Sequence, residues 1–319
     1  MLKVQFPHNP SLIGGPGSFQ IRFSEELIKN GIKILEPSSN ERPDIIFVVG
    51  GTKRVLWLLF NKLKKVKIVH RIDGLDSNFK FDIFNLKFNV LKLIRNLNVI
   101  IIANILADKI IFQSRYISSY WKYFLINRFT SKTVIYNGVN IDYFKPNNND
   151  KKNEIICVEG SINSNYAVEI LNSIKLYKIT LVGNIEKSFK SKIVNNNISY
   201  IGVIDRKKIP EILNEHFIYL CLEPNPPCPN SVIEAMSCGL PVVGFNTGSL
   251  NELANCSGLL SSLILLNDVP SKSSIKDIEN NINIIFNNYH SFSSMARENA
   301  LKNFNIKNIT QEYVNFLRE

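Results

Sequence analysis

The chain has 319 residues, 45 % of them hydrophobic and 20 % charged, which excludes disorder as its main state. Single cores stop growing near roughly 250–300 residues, so this length points to two domains. The net charge of +11 is one-sided: residues 1–150 hold 22 basic and 11 acidic side chains, whereas residues 151–319 hold 16 of each.

In chain order, the first half alternates short β-branched runs with longer helical ones, the pattern of a parallel α/β sheet. Strands are expected at Lys3–Phe6, Asp44–Val49, Val66–Ile72, Lys109–Gln113 and Lys132–Tyr136. The opening strand follows Met1 directly, with no apolar signal-peptide core, and the longest apolar run, Val99–Leu106, is too short to span a bilayer. A helix is expected from Ser18, as N-cap, to Asn30. Phe19, Phe23 and Leu27 share one of its faces, and Gly31 stops it. Ahead of it, Gly14, Gly15, Gly17 and Ser18 form a glycine-rich loop that either brings N–H groups close to a ligand or is a plain tight turn.

A second helix is expected at Arg54–Lys65. Residues 53–67 set Trp57, Leu58, Leu59 and Phe60 among Lys53, Arg54, Lys62, Lys64, Lys65 and Lys67, and Phe84–Leu97 repeats the theme with Lys87, Lys92 and Arg95. Two readings stand: apolar residues turned to the core, or a surface for anionic lipid. No nucleic-acid motif accompanies the charge, so nucleic acid is not the expected partner. The third strand ends in His70, Arg71, Ile72, Asp73 and Gly74, and alternation puts Arg71 and Asp73 on one side. Asp73 either carries chemistry at the strand end or pairs with Arg71 to fix the loop.

The polar stretch Phe144–Asn153 reads as a linker. Beyond it, strands are expected at Glu154–Val158, Lys178–Val182, Ser199–Ile201, Phe217–Leu222 and Pro241–Phe245. Helices follow at Ile275–Asn287, Phe292–Asn303 and Ile309–Leu317. All five cysteines (Cys157, Cys221, Cys228, Cys238 and Cys256) lie here. Their odd number and the lack of a CxxC pair speak against a disulfide framework or a zinc site, so a reducing compartment is expected. Within Pro226–Gly244, a proline-stiffened loop leads to a helix opening at Asn230 or Ser231, and such an end binds phosphate without a metal. Glu234, one turn in, either faces the same mouth or closes a capping box with Ser231.

The run Asn230–Leu253 resembles the donor-site signature of the family 4 glycosyltransferases. Gly14–Ser18, Ala107–Ser114, Val134–Asn140 with Phe144 and Pro146, Met295–Ala300 and Tyr313 are similar to further family motifs, in the same order. The resemblance implies the α/β GT-B architecture, two Rossmann-like domains with parallel sheets facing a central cleft. It places an acceptor-side domain at 1–147 and a donor domain at 148–304, with a last helix at about 305–319 packed back on the first. It further implies retaining transfer of sugar from a nucleotide sugar, without metal or other cofactor, to a glycan or lipid-linked acceptor. Polysaccharide or glycolipid synthesis in the cytoplasm, at the inner membrane face, is then expected. Pro229, Asn230, Ser231 and Glu234 would hold the donor, and Arg71 and Asp73 would serve the reaction. Two departures stand out: Pro226 occupies the place of the family's first donor-loop carboxylate, and Glu159–Tyr166 lacks its Arg and Lys. Arg206, Lys207 and Lys208, or Arg71 from the first domain, are the cations expected to substitute, and a catalytically silent sugar-nucleotide-binding subunit is the alternative.

Overall fold

The computed structural model describes residues 1–11, 15–74, 90–126, 130–147 and 151–319. The chain divides into two compact units, Met1–Tyr136 with Lys307–Glu319, and Asn137–Ile306. The division thus falls ahead of residue 147 because the segment after Tyr136 is bound into the second unit. The Asn137 amide donates to the Cys228 carbonyl at 2.8 Å. The Val139 N–H donates to the Phe304 carbonyl at 2.8 Å, and Ile306 returns a bond to Val139 at 2.9 Å. The stretch expected as a linker is fastened to the same unit. Phe144 is buried, its carbonyl accepts from Ser237 Oγ at 2.6 Å, and Lys151 donates to the His216 carbonyl at 3.1 Å. Residues 148–150 lie outside the described residues.

Unit 1 is a parallel six-stranded sheet in the order β2-β1-β3-β4-β5-β6 among the described residues. Its strands are β1 (Lys3–Gln5), β2 (Lys33–Leu35), β3 (Ile45–Val49), β4 (Lys67–Ile72), β5 (Lys109–Phe112) and β6 (Ser131–Val134). Helices α1 (Gly15–Lys29), α2 (Val55–Leu63), α3 (Val90–Ile101, continued by a π-helical turn Ile102–Leu106) and α4 (Arg115–Trp121) fill the intervals. Helix α1 starts three residues before Ser18, so Ser18 is not its N-cap, and Gly15, Gly17 and Ser18 are helical rather than a loop. Pro16 suits a first turn, where its missing N–H costs nothing. Gly17 lets that turn lie against the backbone of Ser11, where a Cβ would come within 2.0 Å of the carbonyl oxygen. Gly14 lies outside the described residues. The core gathers Phe19, Phe23 and Phe47 around Tyr313 of the last helix, with the Phe23 and Tyr313 rings 4.6 Å apart.

Unit 2 repeats the theme in the order β12-β11-β10-β7-β8-β9, which is the Rossmann order read from one edge. The strands are β7 (Ile155–Ile162), β8 (Ile179–Ile185), β9 (Ile198–Gly202), β10 (Ile218–Leu220), β11 (Val242–Phe245) and β12 (Gly258–Ser261). A small hairpin pairs β13 (Leu265–Leu266) with β14 (Val269–Pro270). The helices are α5 (Asn165–Ser173), α6 (Lys187–Lys190), α7 (Ile209–Asn214), α8 (Asn230–Ser237), α9 (Leu250–Ala254), α10 (Lys272–Asn287) and α11 (Tyr289–Asn303). Helix α12 (Ile306–Arg318) begins at the last residue of unit 2 and continues in unit 1. The chain direction across the sheet reverses between β7 and β10. Their carboxyl ends therefore frame the crevice where open α/β sheets take ligands.

Candidate functional site

At that crevice in unit 2, helix α8 follows β10 after a loop stiffened by Pro224, Pro226, Pro227 and Pro229. Pro226 is held by backbone rather than by charge. Its carbonyl accepts from the Ser249 N–H at 2.8 Å, and Gly248 (φ +58°) approaches so closely that a Cβ would meet the Pro226 nitrogen at 2.4 Å. Pro229 takes the N-cap position, and no side-chain hydrogen bond caps the helix. The first N–H groups of α8 therefore face the crevice without a capping side chain. Asn230 Oδ1 is enclosed there and meets no donor among the described residues.

The capping-box reading of Ser231 and Glu234 does not hold. Ser231 is a residue of the helix, and its Oγ stands 2.8 Å from the Tyr219 hydroxyl, which also donates to the Val158 carbonyl at 2.9 Å. Tyr219 thus ties the first turn of α8 to both switch-point strands. Glu234, 7 % exposed, turns to Arg206 instead, whose Nη2 lies 2.9 Å from Oε1. Arg206 opens a 3₁₀ turn (Arg206–Lys208) whose cap is Asp205, accepting from the Lys207 N–H at 2.9 Å. Lys207 itself is exposed on that turn.

Two carboxyl groups lie at the carboxyl ends of the same two strands, Glu159 on β7 and Glu223 just after β10. Glu159 stands where β7 bulges opposite Gly183, and its Oε1 accepts from the Leu222 N–H at 3.1 Å. Burial, and secondarily the charge of Glu223, push Glu159 up to about 8 against the lowering effect of that hydrogen bond. Burial also raises Glu223. Tyr219 and Glu223 were not singled out from the sequence. Their signal was positional, an aromatic and an acid at the carboxyl end of a buried strand.

In unit 1 the ends of β1, β3 and β4 bring His8, Gly50, Thr52 and Asp73 near one another. His8 Nε2 is 2.5 Å from Thr52 Oγ1, and a Cβ on Gly50 would lie 3.3 Å from Asp73 Oδ2. Burial, with Arg54 and Lys53 behind it, lowers the His8 pKa. Asp73 is ion-paired to Arg71. Arg71 is only 1 % exposed. It also meets the Tyr313 hydroxyl at 3.2 Å and Gln113 Oε1 at 2.9 Å, with its guanidinium 3.9 Å from the Phe19 ring centroid. Arg71 thus joins Asp73 to the core and to α12. His70 is fully buried with Nε2 2.7 Å from the Gly50 carbonyl, and burial lowers its pKa to about 4, so it is neutral at physiological pH. No three His, Cys, Asp or Glu side chains among the described residues are grouped to hold a metal ion.

Residues 162–269, which contain Arg206, Glu234 and all of α8, match the family model of the glycosyl transferases group 1. The uncharacterized glycosyltransferase MJ1178 of Methanocaldococcus jannaschii is 30 % identical over 178 residues, covering 52 % of this chain and 48 % of that protein. The chain thus spans about half the length of this curated relative. The sucrose-phosphate synthase of Thermosynechococcus elongatus superposes with a TM-score of 0.78 at 15 % identity, over 100 % of this chain and 98 % of that one. Anabaena Alr3699/HepE, in a structure with UDP and glucose, gives 0.74 at 17 % identity over the whole of both chains. The fold is therefore that of the GT-B glycosyltransferases, built from two Rossmann-like units.

Proposed function

We propose that the chain is a glycosyltransferase whose unit 2 binds a nucleotide sugar and whose unit 1 handles the acceptor. One observation carries this reading: helix α8 opens without a capping side chain at the switch point of β7 and β10, with the Arg206–Glu234 pair on its flank. A helix N-terminus of this kind stabilises a diphosphate through its N–H groups and dipole. Pro229, Asn230 and Ser231 would line that anion, and Glu234 would accept from a sugar or ribose hydroxyl. Arg206 holds the Glu234 carboxylate in place, and Lys207, exposed on the same turn, would meet the diphosphate charge. The match to the glycosyl transferases group 1, and the UDP and UDP-glucose in the HepE structures, support the same ligand class.

In the reaction, the bond between the sugar's anomeric carbon and the diphosphate oxygen breaks and the acceptor oxygen bonds to that carbon. The acceptor proton passes to the departing nucleoside diphosphate, which carries the electron pair of the broken bond. Retention of configuration, independence of metal, and a role in cell-surface polysaccharide or glycolipid synthesis belong to this proposal. At the strand ends of unit 1, Asp73 would orient the acceptor hydroxyl, with Arg71 acting as its positioning residue. Gly15, Gly17 and Ser18 would contribute through the first turns of α1. The test is a thermal-shift and turnover screen over nucleoside diphosphates and nucleotide sugars, with a cell-envelope extract as acceptor source. Stabilisation together with diphosphate release is expected, and no stabilisation by any nucleotide would overturn the reading. The stretch Glu159–Tyr166, where the resemblance would place an Arg and a Lys for the diphosphate, favours a second reading, a binding subunit without activity. Binding without release selects it.

A further inference from the structure

Helices α2 and α3 of unit 1 lie on one face of its sheet, where Leu58 of α2 and Ile102 and Leu106 of the π-helical turn share a core cluster. Their opposite faces are apolar as well. On α2, Leu56, Leu59, Phe60 and Leu63 recur at helical spacing and are exposed, Leu56 to 82 % and Leu63 to 76 %. On α3 and its turn, Ile94, Leu97, Ile101 and Ile105 repeat the stripe. Lys53, Lys64, Lys65, Lys67 and Arg95 are exposed around them. Residues 51–67 and 90–107 contain no Asp or Glu at all. Soluble surfaces seldom expose so many large apolar side chains on two neighbouring helices, and the cations beside them outnumber the nearby carboxylate Asp108, which Lys62 already pairs at 2.9 Å, so charge selects an anionic occupant.

We propose that the outer faces of α2 and α3 dock unit 1 onto an anionic lipid surface. The apolar stripes enter the boundary between headgroups and acyl chains, and the lysines meet the lipid phosphates. This goes beyond glycosyl transfer and does not depend on it, since docking is read without any donor or acceptor. The experiment is sedimentation of the full chain with vesicles of phosphatidylcholine alone, or mixed equally with phosphatidylglycerol. Wild type is expected to pellet with the mixed vesicles, less so as salt rises, and to stay in solution with the neutral ones. Leu56→Gln with Phe60→Gln should lower binding by more than about tenfold, and Lys53→Gln with Lys64→Gln by roughly tenfold. All four positions are exposed, so melting curves should match wild type, and Ile101→Gln with Ile105→Gln gives an independent check on α3. Wild type left in solution with both vesicles overturns the proposal, as do apolar variants that pellet like wild type. A dimer that the Leu56→Gln, Phe60→Gln variant splits overturns it in favour of a second copy of the chain on this face.

Discussion

Glu159 holds its proton near neutral pH although it sits beside a crevice assigned to an anion. Kept neutral by burial, it neither repels a diphosphate nor demands a counter-cation, which accommodates a carboxyl group in that place. Its linkage to stability has a definite sign. The folded chain binds this proton up to about pH 8, whereas an unfolded carboxyl releases it near 4.5. The unfolded state therefore binds fewer protons in that window. Its contribution is fully present below about pH 4.5 and declines as pH rises through about 8. Glu159→Gln, which mimics the protonated form, should melt several degrees above wild type at pH 9 and alongside it at pH 4; the wild type's nucleoside diphosphate affinity should fall between pH 7 and 9, and that of the variant should not. Parallel profiles would refute the assignment. For Glu234, replacement by Gln should weaken donor binding by about tenfold or more with little change in melting temperature, because the side chain does not cap α8. Calorimetric titration with UDP-glucose measures it. The residue itself was legible from its place in the helix. The contacts of α8 were not, for Arg206 meets Glu234 from 28 positions away and Tyr219 meets Ser231 from 12, beyond any local window.

Elements with strong periodicity or buried β-branched runs were read within a few residues of their bounds, as with α10, β4 and β11. Of the four edge strands, β6 and β9 were read but β2 and β12 were not: Lys33–Leu35 and Gly258–Ser261 hold no run of β-branched residues, and pairing to a neighbour creates them. Helix starts were displaced where backbone packing overrode capping chemistry, as Gly17 against Ser11 does for α1. Gly17→Ala should therefore destabilise unit 1 by about 1–3 kcal/mol despite alanine's better helix propensity, as denaturant titration would show. A different logic holds the other end of α8. Arg297 donates to the carbonyls of Ser237 at 2.6 Å, Phe144 at 2.9 Å and Ile141 at 3.1 Å, and so binds the helix end and the segment entering unit 2. Arg297→Ala, leaving these oxygens unpaired, should cost about 2–4 kcal/mol by denaturant unfolding. The run Met295–Ala300 was recognisable in sequence, but its task of bracing α8 is visible only in three dimensions.

For the whole molecule, the charge asymmetry sharpens when counted by unit. Unit 1 carries 23 basic and 11 acidic side chains, and unit 2 carries 15 and 16. The surplus thus belongs to the unit with the apolar helical faces, and unit 2, proposed to bind the nucleotide, would rely on N–H groups rather than net charge. Since unit 2 holds its candidate site within its own residues, nucleoside diphosphate at about 100 times its dissociation constant should stabilise it by about 2.7 kcal/mol. Hydrogen exchange should show protection gained at α8 and β10.

The place of Tyr313 bears on how the chain is born. Unit 1 seats its aromatic core and the buried Arg71 against a helix translated after all of unit 2. Chains usually fold domain by domain from the amino end as they emerge, at about 5–20 residues per second. Here the second unit is contiguous and can fold first on the ribosome. The earlier-made unit must wait with Phe19, Phe23 and Phe47 incompletely covered until Tyr313 leaves the exit tunnel, so nascent chains stalled before that point are the ones chaperones should hold.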